Sequence, residues 1–382
     1  MGRGPPALCK LHRLGLTVLY LFVLSPIRTI RDKVLDMAIE NLNTERNSTR
    51  AEAVIRQMVK SSLKIAIVVP CYNVQAHIEA VIQSIPDYVR VVVLVDDASQ
   101  DQTAAIIDKL AQEGNGRVFV LHLPRNRGVG GAMLAGLGKA SELGADISVK
   151  MDGDGQMDPR YIPLLVEPLI TGKADYTKGN RFRSALSLAQ MPLVRRLGNA
   201  MLSLLTKFAS GYWNIFDPTN GYIAIRREIF EMLPPKMVHP RYFFESSLLI
   251  ALGILGAVVL DVPMEARYGT EKSMLRISQV IFEFPWQLAL GFLRRLWFKK
   301  ILYSLTMEAI LGISGFVLFC LGFIFGLVEF MHYAITLKVA APSGTVMTAA
   351  LPVLLGFQMM MNAILLDIQS VPSLPLCEKL NT

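Results

Sequence analysis

The chain has 382 residues, 52% hydrophobic and only 18% charged, and its mean hydropathy of +0.40 excludes a wholly soluble or disordered protein. Its net charge of +8 is unevenly placed: residues 1–60 carry ten Lys/Arg against five acids, 61–263 twenty against nineteen, 264–300 seven against three, and 301–382 two against four. Basic flanks around a neutral middle suit an anionic membrane surface, at ~1 kcal/mol per Lys or Arg, and argue against a nucleic-acid partner, which would put a basic stripe on the folded domain.

Residues 1–60 read as a basic, partly helical arm able to touch the membrane. Within it Leu14–Leu24 follows Lys10 and Arg13 and imitates a signal peptide, but Ser25-Pro26-Ile27-Arg28 is a poor cleavage site and the run is short for a span. Residues 61–273 alternate β-branched runs (64–70, 90–97, 117–123, 146–152) with helical stretches (76–85, 102–113, 130–143, 159–170), the pattern of a doubly wound α/β sheet with parallel strands. Residues 274–305 mix Trp286, Phe292, Leu293 and Trp297 with Arg294, Arg295, Lys299 and Lys300, as an amphipathic helix in the membrane interface does. Residues 306–368 hold two uncharged stretches, between Glu308 and Glu329 and between Lys338 and Asp367, each long enough to cross ~30 Å of hydrocarbon as a helix. One lysine in their loop against four basic residues before the first span keeps the large N-terminal part, and a tail at 369–382, in the cytosol. The reading is an integral membrane protein of the bacterial inner membrane or an equivalent, whose Gly312, Gly315, Gly322 and Gly326 offer a face for close packing in a homo-oligomer. Cys9, Cys71, Cys320 and Cys377 show neither paired spacing nor a CxxC, which points away from a disulfide framework or zinc site.

In doubly wound sheets ligands sit at the carboxyl ends of the strands. Here the first strand ends in Pro70-Cys71-Tyr72-Asn73, the second in Asp96-Asp97, and the fourth in Asp152-Gly153-Asp154-Gly155-Gln156. Two carboxylates one residue apart on a tight turn are hard ligands suited to Mg²⁺ or Mn²⁺ holding a diphosphate. Taken alone, such a turn is equally a surface turn; a neighbouring strand ending in Asp-Asp weighs toward the site. Gly128-Val129-Gly130-Gly131 follows the third strand and lacks the last glycine of GxGxxG, so it reads as a place where backbones crowd. His77, His122 and His239 are isolated and read as structural. Asp217 reads either as a turn residue or as part of the site. Glu245 reads as an acceptor contact or as a helix-start residue.

The succession VVPCYN, VDDASQDQT, NRGVGGAMLAGL, MDGDGQMDP, GNRF and DPTNGYIAIRREIF resembles family 2 glycosyltransferases of the GT-A fold, and within them the polyprenyl-phosphate glycosyltransferases. The resemblance implies that Pro70, Tyr72, Asn73, Asp96 and Asp97 meet the nucleotide, and that Asp152, Asp154 and Gln156 hold the metal and donor diphosphate. It further implies that Arg181 faces the phosphates and that Lys272 closes over the donor. Arg195, Arg196 and Arg267 would meet the acceptor phosphate. Val74 stands where many relatives have an acid, and the QxxRW motif of processive synthases is absent, which favours a single transfer.

The expected reaction moves one hexose from a UDP- or GDP-sugar to undecaprenyl or dolichyl phosphate with inversion. A lipid phosphate is already anionic and needs orientation more than a general base. Two alternatives remain open at this point: a glycolipid synthase acting on a lipid hydroxyl, and a catalytically inactive membrane scaffold.

Overall fold

The computed structural model describes residues 49–58, 63–114, 116–181, 193–265 and 277–381. The chain divides into two units, Met1–Gln57 and Met58–Thr382. Of the first, residues 49–57 are described and are helical; the rest of the arm expected over 1–60 lies outside the described residues. All that follows concerns the second.

Its N-terminal half builds the alternation expected from the sequence. Strand β1 (Ile65–Cys71) is followed by α1 (Ile78–Ser84), β2 (Val91–Asp96), α2 (Thr103–Glu113), β3 (Val118–His122), α3 (Gly128–Glu142), β4 (Ile147–Lys150) and α4 (Ile162–Ile170). In β1, β2 and β4 nearly every residue is buried. That is why they read as unbroken β-branched runs rather than as alternating ones. Helix α3 begins where the glycines crowd: a Cβ on Gly130 would stand 2.1 Å from the His239 carbonyl oxygen, and Gly131 N–H donates to the Pro240 carbonyl at 2.9 Å.

The second half adds β5 (Tyr176–Asn180), α5 (Leu193–Ser210), β6 (Ile223–Arg226), α6 (Arg227–Met232), α7 (Phe244–Leu255) and β7 (Val259–Pro263). The seven strands form one sheet in the order β3-β2-β1-β4-β6-β5-β7. It is mixed rather than wholly parallel, because β6 runs antiparallel to both β4 and β5. This sheet with its flanking helices is one α/β domain.

Helix α8 (Ile277–Arg295) continues through a π-helical turn, Leu296–Leu302. It is two-sided as expected: Phe284 and Leu288 are buried against α5 and α7, whereas Trp286, Leu293 and Trp297 are exposed. Helices α9 (Met307–Met331, extended by a π-helical turn to Leu337) and α10 (Ser343–Gln369) pair as a hairpin. Both are long and apolar enough to cross a membrane, with mean hydropathy 2.5 and 1.8 and almost no residue of the span buried.

Two expectations for this region change. Arg295 and Lys300 do not reach for headgroups; both are 4% exposed. Arg295 bonds Asp367, near the end of α10, at 2.8 and 3.1 Å. Lys300 pairs with Glu308 and lies 3.3 Å from Asp367. The carboxylates bracketing the hairpin thus draw two of the four cations inward, leaving Arg294 exposed. Lys299 donates to the Gly253 carbonyl at 2.8 Å. Burial, reinforced by the charges of Lys300 and Arg295, lowers its pKa to about 8. The hairpin glycines, in turn, are used within the chain: a Cβ on Gly315 would meet Met359 Cβ at 2.8 Å and one on Gly322 would meet Pro352 Cβ at 2.9 Å. Small residues let α9 and α10 approach, so this glycine face packs inside the hairpin rather than against a second copy.

After the hairpin the chain returns to the α/β domain. The first residues of α11 (Leu376–Asn381) donate their backbone N–H groups to the Asp175 carboxylate at 2.9 and 3.3 Å. The tail and the domain therefore lie on the same side of the hairpin.

Candidate functional site

Four of the expected residues come together. Asp152, Asp154, Gln156 and Arg181 line one cavity of about 180 Å³ beyond the carboxyl end of β4, with Asp158, Tyr161, Asn220, Tyr222, Glu245 and Glu265 also on its wall. The turn after β4 is held from within: Asp154 Oδ1 accepts from Gln156 N–H at 2.9 Å, and Gly155 takes φ +77°, where a side chain would be strained. Asp158 caps the following turn, accepting from Arg160 N–H at 3.0 Å. Arg181 leaves the end of β5 and is gripped by Asp217, Nε to Oδ2 at 2.8 Å and an Nη to Oδ1 at 3.1 Å. Asp217 is fully buried. It is therefore neither a surface turn nor idle; its bidentate bond fixes the plane of the guanidinium.

The expected nucleotide residues form a second group at the ends of β1 and β2. Their loops are laced together: Asn73 N–H donates to Ser99 Oγ at 3.2 Å, Gln100 N–H to Asn73 Oδ1 at 2.8 Å, and Val74 N–H to Thr103 Oγ1 at 2.9 Å. Asn73 and Ala98 both have positive φ, 54° and 57°, a conformation uncommon for residues other than glycine and concentrated at functional sites. Tyr72 is exposed and Pro70 half-buried. Asp96 and Asp97 are buried, with their oxygens in internal bonds. Asp97 accepts from the N–H groups of Arg127 and Gly128 at 2.6 and 2.8 Å, at the start of α3. Asp96 accepts from Ser99 N–H at 3.0 Å and meets His122 Nδ1 at 3.1 Å, while His122 Nε2 lies 3.0 Å from Asp108.

Titration follows these contacts. Burial raises the Asp97 pKa, only partly offset by the two N–H donors. Burial acts the same way on Asp96, but bonds from Ser99 and His122 outweigh it and leave its pKa low. Asp108, then Asp96, raise that of His122. The two groups adjoin, since a Cβ on Gly153 would stand 3.5 Å from the Pro70 carbonyl. Arg195 and Arg196 lie in α5, but their side chains, like Arg267 and Lys272 altogether, are outside the described residues.

Two buried lysines beside the cavity and a half-buried aspartate escape the sequence reading. Lys150 and Lys178 are 2% and 0% exposed. Lys150 Nζ lies 2.7 Å from Asp152 Oδ1 and 3.3 Å from Glu245 Oε1; burial opposes its charge, yet these carboxylates hold its pKa above the ordinary value. Lys178 donates to the Asn220 carbonyl, and burial pulls its pKa down to about 8 despite Glu245, Asp217 and Asp261 nearby. Asp261 accepts from Phe216 N–H at 3.0 Å and Asn180 Nδ2 at 2.8 Å; burial pushes its carboxyl up to about 6. The available signals were a lysine closing the β-branched run of β4 and an aspartate inside that of β7, charges that burial makes costly unless they are paired; Lys178, in the polar strand β5, carried no such signal.

The family model described as glycosyl transferase family 2 matches residues 66–233. A UDP-N-acetylglucosamine–dolichyl-phosphate N-acetylglucosaminyltransferase of Methanococcus voltae is 32% identical over 232 residues, 58% of this chain and 92% of its own length. The chain belongs to glycosyl transferase family 2. A polyprenol monophosphomannose synthase of Mycolicibacterium smegmatis is 29% identical over 59% of this chain and 87% of its own. Among solved structures, a glucosyl-3-phosphoglycerate synthase of Mycobacterium tuberculosis with Mn²⁺, UDP and phosphoglyceric acid aligns at TM-score 0.47 and 25% identity, covering 63% of this chain and 82% of that one. As a family 2 member the protein is a glycosyltransferase, and the paired aspartates after β4 stand within the matched region.

Proposed function

We propose that this glycosyltransferase moves one hexose, with inversion, from a UDP- or GDP-sugar to a polyprenyl phosphate at the cytosolic face of a membrane. The observation that carries the reading is that one chain holds an oxygen-lined cavity at the strand ends of its α/β domain and an apolar two-helix hairpin bonded to that domain through Asp367, which meets Trp213 and Arg295. Such a junction suits an acceptor whose phosphate is soluble and whose chain is not. The names of the Methanococcus and Mycolicibacterium relatives, a dolichyl-phosphate N-acetylglucosaminyltransferase and a polyprenol monophosphomannose synthase, support it.

A divalent ion, Mg²⁺ or Mn²⁺, fits the donor set. Among the described residues no three His, Cys, Asp or Glu side chains gather into a metal cage. Asp152, Asp154 and Gln156 nevertheless put oxygen donors on one wall, which is how Mg²⁺ is held when it shares its shell with phosphate and water. When bound, the ion would offset charge growing on the departing diphosphate.

The chain's own groups do the rest. Arg181, oriented by Asp217 before any ligand arrives, would face the leaving phosphates without reorganising. Pro70, Tyr72, Asn73, Asp96 and Asp97 would frame the nucleotide, and Lys272 would close over it. Arg195, Arg196 and Arg267 would guide the acceptor phosphate. That phosphate attacks already ionised, so no step demands a base. Glu245 favours a second reading, since a carboxylate on the cavity wall is what a neutral lipid hydroxyl would require.

The test is mass spectrometry of lipid products after the purified protein in nanodiscs meets a panel of nucleotide sugars with a short polyprenyl phosphate or a neutral lipid alcohol. A hexosyl phosphopolyprenol is the expected product. Glycosylation of the alcohol alone would replace this reading with the glycolipid-synthase one.

A further inference from the structure

Lys150 in β4 and Lys178 in β5 are both register partners of the same residue, Ile223 in β6. Residues directly opposite one another across strands share a face of the sheet, so two lysines stand on either side of Ile223, almost fully buried. Two neighbouring ammonium groups out of water are expensive unless paired. Lys178 is held by a carbonyl at the cavity wall, but Lys150 joins two carboxylates from different elements: Asp152 after β4 and Glu245 in the first turn of α7.

The space for this junction is made by Gly221. A Cβ there would stand 2.3 Å from Lys150 Nζ, 3.1 Å from Asp152 Oδ2 and 3.3 Å from Glu245 Oε1. Lys150 occupies Asp152 Oδ1, which leaves Oδ2 beside Gly221, a residue of the cavity wall. The aspartate's rotamer is therefore set from below, by a residue that does not line the cavity.

We propose that Lys150 is a positioning residue of the donor site, holding Asp152 in the orientation that presents Oδ2 to the cavity. The proposal rests on the donor-site reading above. The rival is that Lys150 only balances buried negative charge, and two double variants separate them. Lys150→Met with Glu245→Leu and Lys150→Gln with Glu245→Leu carry the same formal charge, yet only the second retains a hydrogen-bond donor for Asp152 in this junction. Removing Glu245's charge together with that of Lys150 keeps either variant from burying an extra unpaired ion.

Mn²⁺ binding without donor, followed by electron paramagnetic resonance, is the primary readout, with thermal unfolding and steady-state kinetics beside it. We expect both variants to unfold close to the wild type. The Met form should bind Mn²⁺ ~10 to 100-fold more weakly, the cost typical of losing a group that orients a metal ligand. Its kcat should fall in step, with the acceptor KM little changed, and the Gln form should recover part of both. Equal Mn²⁺ affinity in the two variants, whether native or weakened, overturns positioning. A wild-type protein that binds no Mn²⁺ and makes no lipid-linked sugar overturns the donor-site reading itself, and this proposal with it.

Discussion

Asp367 is the residue through which the hairpin holds the catalytic domain, and Asp367→Ala tests that directly. Its carboxylate accepts from Arg295 at 2.8 and 3.1 Å and from Trp213 Nε1 at 2.9 Å, and lies 3.3 Å from Lys300. Arg295 also donates to the Phe208 carbonyl at 2.9 Å, so α5, α8 and α10 meet at one point. Both cations are 4% exposed, and removing one partner of a buried pair strands the other at about 3–5 kcal/mol. Lys300 retains Glu308, which leaves Arg295 as the stranded charge. For a domain of this size each kcal/mol shifts the unfolding midpoint by ~2–4 °C, so the variant in nanodiscs should unfold ~6–20 °C below the wild type. Replacing the pair together, Arg295→Met with Asp367→Leu, should restore most of the loss because no ion is left unpaired. Tryptophan fluorescence during heating suits the measurement, since Trp213 sits in the contact. A midpoint for Asp367→Ala within ~2 °C of the wild type would refute the argument that this pair is desolvated and stabilising.

Asp154→Ala should lower sugar transfer by at least ~10 to 100-fold with the fold retained; a folded variant with near-normal turnover in chelator would remove the metal assignment. His122→Gln should lose stability in a pH-dependent way. The folded pKa of His122 lies above its ordinary 6.5, so its contribution is whole below that value and lost as pH rises through the folded pKa. Asp96, with a lowered pKa, loses its share only as acid protonates it. The wild-type advantage in thermal unfolding should therefore be largest near pH 5–6 and shrink by pH 9; a constant gap would show that the pair does not carry it. A cysteine placed at Ser343, where α10 begins after the turn of the hairpin, should react with an impermeant maleimide only from the face opposite the catalytic domain, and labelling from the domain's side would overturn the two-span topology.

The sequence by itself determined the elements whose signal is local. The buried runs of β1, β2 and β4, the intervening helices and the two uncharged stretches are each set by composition within one segment, because burial on both faces or an apolar surround removes polar residues from the whole run. The aspartates after β4 were legible for the same reason: a strand end and a tight turn suffice to put Asp152 and Asp154 together. Tertiary structure decided what depends on residues far apart in the chain. That β6 runs antiparallel into the sheet brings Lys150 and Lys178 to either side of Ile223. That α7 starts under the cavity makes Glu245 the second partner of Lys150, and that β5 ends beside residue 217 turns Asp217 from a turn former into the anchor of Arg181. The basic cluster before the hairpin shows the limit most plainly. Its charge count pointed to the membrane, but Asp367 lies 72 residues from Arg295 in the chain and under 3 Å from it in space. An ion pair of that kind leaves no periodicity to read, because Coulomb attraction depends on distance and burial rather than on spacing in the sequence.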